Sequence, residues 1–265
     1  MKKLLLIAVT VLLALSMLCG CSKTQTNTPA VTEPSTSPAE PVTPPAGETT
    51  PAETEGDTEY EGNDFSDFID AAYTQQIERY YTAISEQWDE GAYFDHEMSA
   101  LAAYYGYEGN ALDNVGFICK DLNGDDVREL IIGAIQNAER DPLVFEIWTL
   151  QNDEPMMLVQ SGSRNRYYLQ YAEEDDVWTI ANEAENGAAN NAVYYLQLSD
   201  GKLEVVQGIV FDAVANEKEP WFMAYDLDWD TSNDMSIDED MANAITEAGR
   251  NIYTPAEYLP YSLYK

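Results

Sequence analysis

YYLQLSDGKLEVV, residues 194–206, is two β-rich runs joined by Asp200-Gly201. Asp-Gly suits a two-residue type I′ turn, because both central positions need positive φ and these residues tolerate it. The segment therefore predicts an antiparallel hairpin. Working outward, similar short runs separated by turn residues fill the chain after Asn110: VGFICKDL, ELIIGAI, VFEIWTL, MMLVQ, YYLQY, VWTIA, AVYYLQL and KLEVVQGIVF. Runs of this length, rich in β-branched and aromatic residues, read as strands. An echo links 150–160 (LQNDEPMMLVQ) with 198–207 (LSDGKLEVVQ), aligned with one loop residue removed. It predicts two related hairpins, too few for a propeller. One meandering sheet or two small packed sheets fit the length.

Helical spacing flanks this region. Phe65, Phe68, Ile69, Tyr73, Ile77, Tyr80, Tyr81, Ile84 and Trp88 recur every three or four residues, which predicts an amphipathic helix starting near Asp64 and stopping at Gly91. A second helix is expected over 95–105, with Asp95 as N-cap and Gly106 as C-cap. A last one is expected over 236–250, opened by the capping box Ser236-x-x-Glu239. The fold class read from this order is α+β: N-terminal helices on a mainly antiparallel meander sheet, with a short C-terminal helix. Residues 64–265 are long enough for a single globular domain with one good core.

The first 63 residues read differently. Lys2 and Lys3 precede an apolar stretch, Leu4 to Met17, of signal-peptide length. Residues 22–63 are rich in Thr, Pro and Glu and hold almost no large apolar side chains. Such a composition cannot offset the entropy of ordering and predicts a stretched, disordered tether. The chain carries 13 basic and 48 acidic residues, a net charge of −35. Removing residues 1–20 would take two lysines and no acid. That imbalance excludes electrostatic binding to nucleic acid and favours cations. After residue 21 the chain holds a single cysteine, Cys119.

Leu18-Cys19-Gly20-Cys21 resembles a bacterial lipobox. The resemblance implies residues 1–20 as a lipoprotein signal peptide, a diacylglyceryl thioether and an N-acyl chain (palmitate-type) on Cys21, and a membrane anchor for a domain at the extracellular face. Two or more acyl chains suffice for stable anchoring. Residues 21–63 then act as the tether.

DLNGDDVREL, residues 121–130, places oxygen-bearing side chains at alternate positions: Asp121, Asn123 and Asp125, then the backbone of Val127, then Glu129. Calcium takes six to eight oxygens, and tightly wound loops supply them from alternate residues. The stretch resembles the D-x-N-x-D loops of FG-GAP/VCBS-type β-repeats, which implies calcium as cofactor. Asp126 stands where such loops carry glycine, and Ile132 stands where an EF-hand has Glu. A polar hairpin turn is the alternative. A second acidic run offers Asp228, Asp230, Ser232, Asp234 and Glu239 at EF-hand-like spacing, against the simpler reading of an acidic turn before a helix.

Other candidates read plainly. His96 is the single histidine and reads as a capping residue at the start of a helix; Cys119 reads as a buried hydrophobe. Arg164 and Arg166 form a close pair of cations able to hold an anion or to make surface ion pairs. The small, polar stretch 183–192 (EAENGAANNA) reads as a connecting loop that a ligand could approach. The 18 tyrosines and five tryptophans sit mostly at core periodicity, although exposed rings would suit sugars. No Gly-x-Ser-x-Gly elbow, His-Glu-x-x-His helix or phosphate loop occurs. As a whole the chain resembles uncharacterised lipoproteins of Gram-positive bacteria, a resemblance that implies a location and no activity. The expected function is a lipid-anchored, calcium-stabilised surface domain that binds a protein or glycan and leans away from catalysis. The alternative is an extracellular glycan or cell-wall hydrolase working through two carboxylates.

Overall fold

The computed structural model describes residues 68–105, 110–135, 141–172 and 177–264. The expected signal sequence, Cys21, the tether over 21–63, residues 64–67 and Gly106 lie outside them. Asp70 opens the helical region: its carboxylate accepts the Ala72 N–H at 3.0 Å and starts a 3₁₀ turn, Ala71–Tyr73. The turn runs into α1, Thr74–Ser85, whose Ile77, Tyr80 and Ile84 are buried at helical spacing. Phe68 and Ile69 pack against the same core from before the cap, so the helix begins later than the apolar stripe suggested. It also stops earlier. Gln87 turns the chain at φ 55°, and Gly91 falls inside α2, Glu90–Asp95, which Asp89 caps. Asp95 thus ends a helix instead of capping one. Glu97, at φ 55°, turns the chain toward α3, Leu101–Tyr105. Neither stop is a glycine, and so neither was marked in the sequence. A single turn, α4 (Ala111–Asn114), leads into the sheet.

All eight expected strands form: β1 Val115–Lys120, β2 Glu129–Ala134, β3 Leu143–Gln151, β4 Glu154–Gln160, β5 Asn165–Ala172, β6 Val177–Glu185, β7 Asn190–Ser199 and β8 Lys202–Asp212. Three shorter ones join them: β9 Trp221–Ala224, β10 Met235–Ser236 and β11 Leu259–Pro260. They make one antiparallel sheet in the order β10-β9-β8-β7-β6-β5-β3-β2-β1-β11. β4 lies off this path: it pairs with residues 146–151 of β3, and β5 takes up the same side at Leu143 and Val144. The fold is α+β with a mainly antiparallel sheet.

The echoed hairpins share one geometry. Asn152-Asp153 and Asp200-Gly201 all have positive φ, between 49° and 70°. In each hairpin the pairs run regularly from Gln151↔Glu154 to Trp148↔Met157, and from Ser199↔Lys202 to Leu196↔Val205. One unpaired residue follows in each second strand, Leu158 and Val206. The match is therefore closer than expected: both turns have two residues, and no loop residue is removed.

Both faces of the sheet are buried. On one, Tyr73 of the 3₁₀ turn, Ile77 and Tyr80 of α1, and Met98 of the segment between α2 and α3 share a core with Phe117, Phe145 and Tyr195. On the other, Ile131, Val144, Ile147, Leu169, Ile180, Leu196 and Val210 form a second core that no helical residue enters. Trp229, Ala256 and Tyr258 help to cover it.

The C-terminal helix, α5, is Glu239–Arg250. Its cap is Asp238, whose carboxylate accepts the Met241 N–H at 2.7 Å. Ser236, expected in a capping box, is held in β10 opposite Phe222. Asp238→Ala should therefore cost about 1 kcal/mol in denaturant unfolding, and Ser236→Ala should cost little. The reverse order would restore Ser236 as the cap.

Candidate functional site

The loop joining β1 to β2 is organised by Asp121. One carboxylate oxygen accepts the N–H groups of Asn123, Gly124 and Asp125 at 3.1, 2.7 and 3.3 Å. The other accepts Asp126 N–H at 3.0 Å. Burial works to raise the Asp121 carboxyl, but these four bonds together hold it below the ordinary range. Asp125 accepts the Val127 N–H at 2.9 Å and the Asn123 amide at 2.9 Å. Gly124 and Asp126 both lie in the left-handed region, at φ 76° and 67°. Asp126 thus makes the turn that glycine makes in loops of this kind, which short polar side chains tolerate.

Glu129 closes the loop from β2 with 0% of its surface exposed. Its carboxylate accepts Leu122 N–H at 3.0 Å and the Thr149 hydroxyl at 2.9 Å. Burial pushes its carboxyl up to about 7; those two bonds pull it down, and the charges of Asp125 and Asp121 push it up again. The donor set suits a hard divalent cation in kind, being oxygen throughout. Among the described residues, no three His, Cys, Asp or Glu side chains already close on one point. Asp121 is turned to the loop amides and Glu129 to Thr149.

The second acidic run is a chain of turns. Asp226, Asp228 and Asp230 each accept the N–H two residues on, at 3.3, 2.8 and 3.0 Å. The segment then becomes a 3₁₀ turn, Thr231–Asn233, and β10. Burial first, then Asp226, Asp228 and Asp230, raises the Asp234 carboxyl. Pairing of β10 with β9 draws the chain into the sheet where an EF-hand-like loop would wind around an ion, and Glu239 opens α5.

His96 caps the end of α2, not the start of a helix, and stacks on Trp88 at 4.5 Å between ring centres. Burial pushes the Cys119 thiol up to about 11, which leaves it unreactive.

A groove of ≈480 Å³ lies where Arg164, the β6–β7 hairpin and the end of α5 meet. Most of the expected 183–192 loop is strand: Glu183, Ala184 and Glu185 pair with Val193, Ala192 and Asn191. Only 186–189 connects them, with Gly187 at φ 109°. α5 is docked on β5 by the Gln170 side-chain amide, which donates to Gly249 O at 2.8 Å, and by Thr254 N–H, which donates to Leu169 O at 2.7 Å. This places Arg250 Nε 2.7 Å from Glu183, whose same oxygen accepts the Tyr253 hydroxyl at 3.0 Å. Arg166 stands opposite Glu183 in the register, and Arg164 O accepts Glu185 N–H at 2.8 Å. Sequence spacing had flagged Arg164 and the hairpin separately. Arg250, 86 residues after Arg164, carried no signal. No protein-family model, curated protein or solved structure matches this chain.

Proposed function

We propose that this chain is a lipid-anchored domain at the extracellular face of the cell membrane, carried on the 21–63 tether, stabilised by calcium and binding a surface protein or glycan without a reaction of its own. The observation that carries the calcium part is Glu129. It is a carboxylate at 0% exposure, beside Asp121 and Asp125, with hydrogen bonds but no basic side chain among its partners in the described residues. A buried charge without a counter-charge is expensive, and a divalent ion would supply one. Asp121, Asn123, Asp125, the Val127 carbonyl and Glu129 are the groups that would hold it. The anchor and location rest on the lipobox resemblance at Cys21.

The hydrolase reading stands second. It asks for two carboxylates facing each other across a cleft. The groove holds Glu183 and Glu185, but they lie two apart along one strand, and Glu183 is tied to Arg250 and Tyr253.

Titration calorimetry of the full chain in detergent with calcium chloride tests the reading. A site with Kd of about 1 mM or tighter, the range of extracellular calcium modules, that vanishes in Asp121→Ala supports it. No heat in the parent chain would make 121–130 a polar turn.

A further inference from the structure

The groove beside Arg164 has the dimensions of a small-molecule site, since ligand clefts run from about 300 to 1,000 Å³. Its charges are unusual for this chain. Arg164 is exposed, and among the described residues no hydrogen bond or ion pair reaches its guanidinium. In a chain with 48 acidic residues an internal partner would be easy to provide. Glu185 is on the adjacent strand, joined to Arg164 through the backbone, yet the two side chains form no ion pair. Arg250 gives Nε to Glu183, and its guanidinium also bonds the Tyr253 hydroxyl. Glu183 is in turn fixed by Tyr253, so Arg250 is held in place with half of its side chain exposed. Gly187 and Ala188 leave the hairpin end open, and Asn191 adds an amide.

We infer that this groove binds a small zwitterion, with the ligand's carboxylate on Arg164 and the exposed part of Arg250 and its ammonium on Glu185. A planar carboxylate matches a guanidinium fork in two parallel hydrogen bonds. A ligand with no net charge escapes the repulsion that a chain of charge −35 exerts on phosphate or sulfate dianions. The inference rests on the reading of the chain as a surface binding module, for which it names a ligand class.

The test is calorimetric titration of the full chain in detergent at low ionic strength. The probes are the dipeptide alanyl-alanine, its N-acetyl form, its C-terminal amide, and inorganic phosphate. The free dipeptide should bind, and blocking either end should weaken it by roughly tenfold or more, the usual loss for one charged hydrogen-bonding partner. Arg164→Gln should weaken the free dipeptide similarly and abolish its advantage over the amide. Glu185→Gln should abolish its advantage over the N-acetyl form. Absence of heat from the dipeptide at about 10 mM, a millimolar limit reaching only a few kcal/mol, would overturn the site. So would phosphate binding as tightly, or binding unchanged in both variants. A chain that melts higher in calcium than in chelator but gives no dipeptide heat loses the groove and keeps the calcium-stabilised module. A chain that binds the dipeptide and ignores calcium does the opposite.

Discussion

Glu146→Ala is expected to cost about 3–5 kcal/mol of folding stability, read as a lower denaturant midpoint with Trp148 fluorescence as probe. Glu146 is 1% exposed in β3 and, among the described residues, forms no ion pair. One oxygen accepts Ser99 N–H at 3.1 Å and the Gln160 amide at 3.2 Å; the other accepts Trp148 Nε1–H at 2.9 Å. The Tyr80 hydroxyl bonds it as well. These donors come from α1, the segment before α3, β3 and β4, so a single carboxylate ties the helices to the sheet. Truncation leaves them buried and unmatched, which is the costly direction. Glu146→Gln should lose less, since one acceptor remains. A loss below about 1 kcal/mol for alanine, the scale of an ordinary substitution, would show that the pocket takes up water and that the tie is unimportant.

Glu129 should give the opposite sign. Its carboxyl is raised from 4.5 to about 7 in the fold. The protonated form is therefore the one the fold favours. In chelator, the stabilisation from this group is complete below pH 4.5 and is lost as pH rises to about 7. The full difference is on the order of 3 kcal/mol. Glu129→Gln removes the ionisation and keeps groups able to meet Leu122 N–H and Thr149. In chelator at pH 8 the variant should melt several degrees above the parent. Calcium should reverse the ranking. At a hundredfold excess over Kd, an ion stabilises the parent by about 2.7 kcal/mol, and the variant, short of one charged ligand, should gain far less. Thermal scans from pH 4 to 8, with calcium and with chelator, separate these cases. A variant that tracks the parent under every condition would remove Glu129 from both roles.

The strands were legible because their signals are local. Alternation, β-branched residues and Asp200-Gly201 lie within a few positions of one another, and the paired register followed them. Helix ends were misread because Gln87 and Glu97 take left-handed φ without being glycine, and because Asp238 outcompeted Ser236 as a cap once β9 drew Ser236 into the sheet. β9, WFMA, was missed for its shortness. The loop at 121–129 was visible from spacing; the burial of Glu129 was not, since it depends on Thr149 across the neighbouring strand. Glu146 did leave a trace, an acid within the apolar run VFEIWTL. The groove left only scattered traces, because it is assembled from the turn before β5, the β6–β7 hairpin and α5.

The two outermost strands of the sheet, β10 and β11, are two residues long, and β11 ends in Pro260. β4 pairs only with β3 among the described residues, and its other edge carries Pro155 and the extra residue Leu158. Open strand edges invite another chain to add itself by backbone pairing, and short edges, prolines and bulges discourage it. Each of these three edges is interrupted in one of those ways. Copies of the chain crowded together would therefore find no long row of free amides along them.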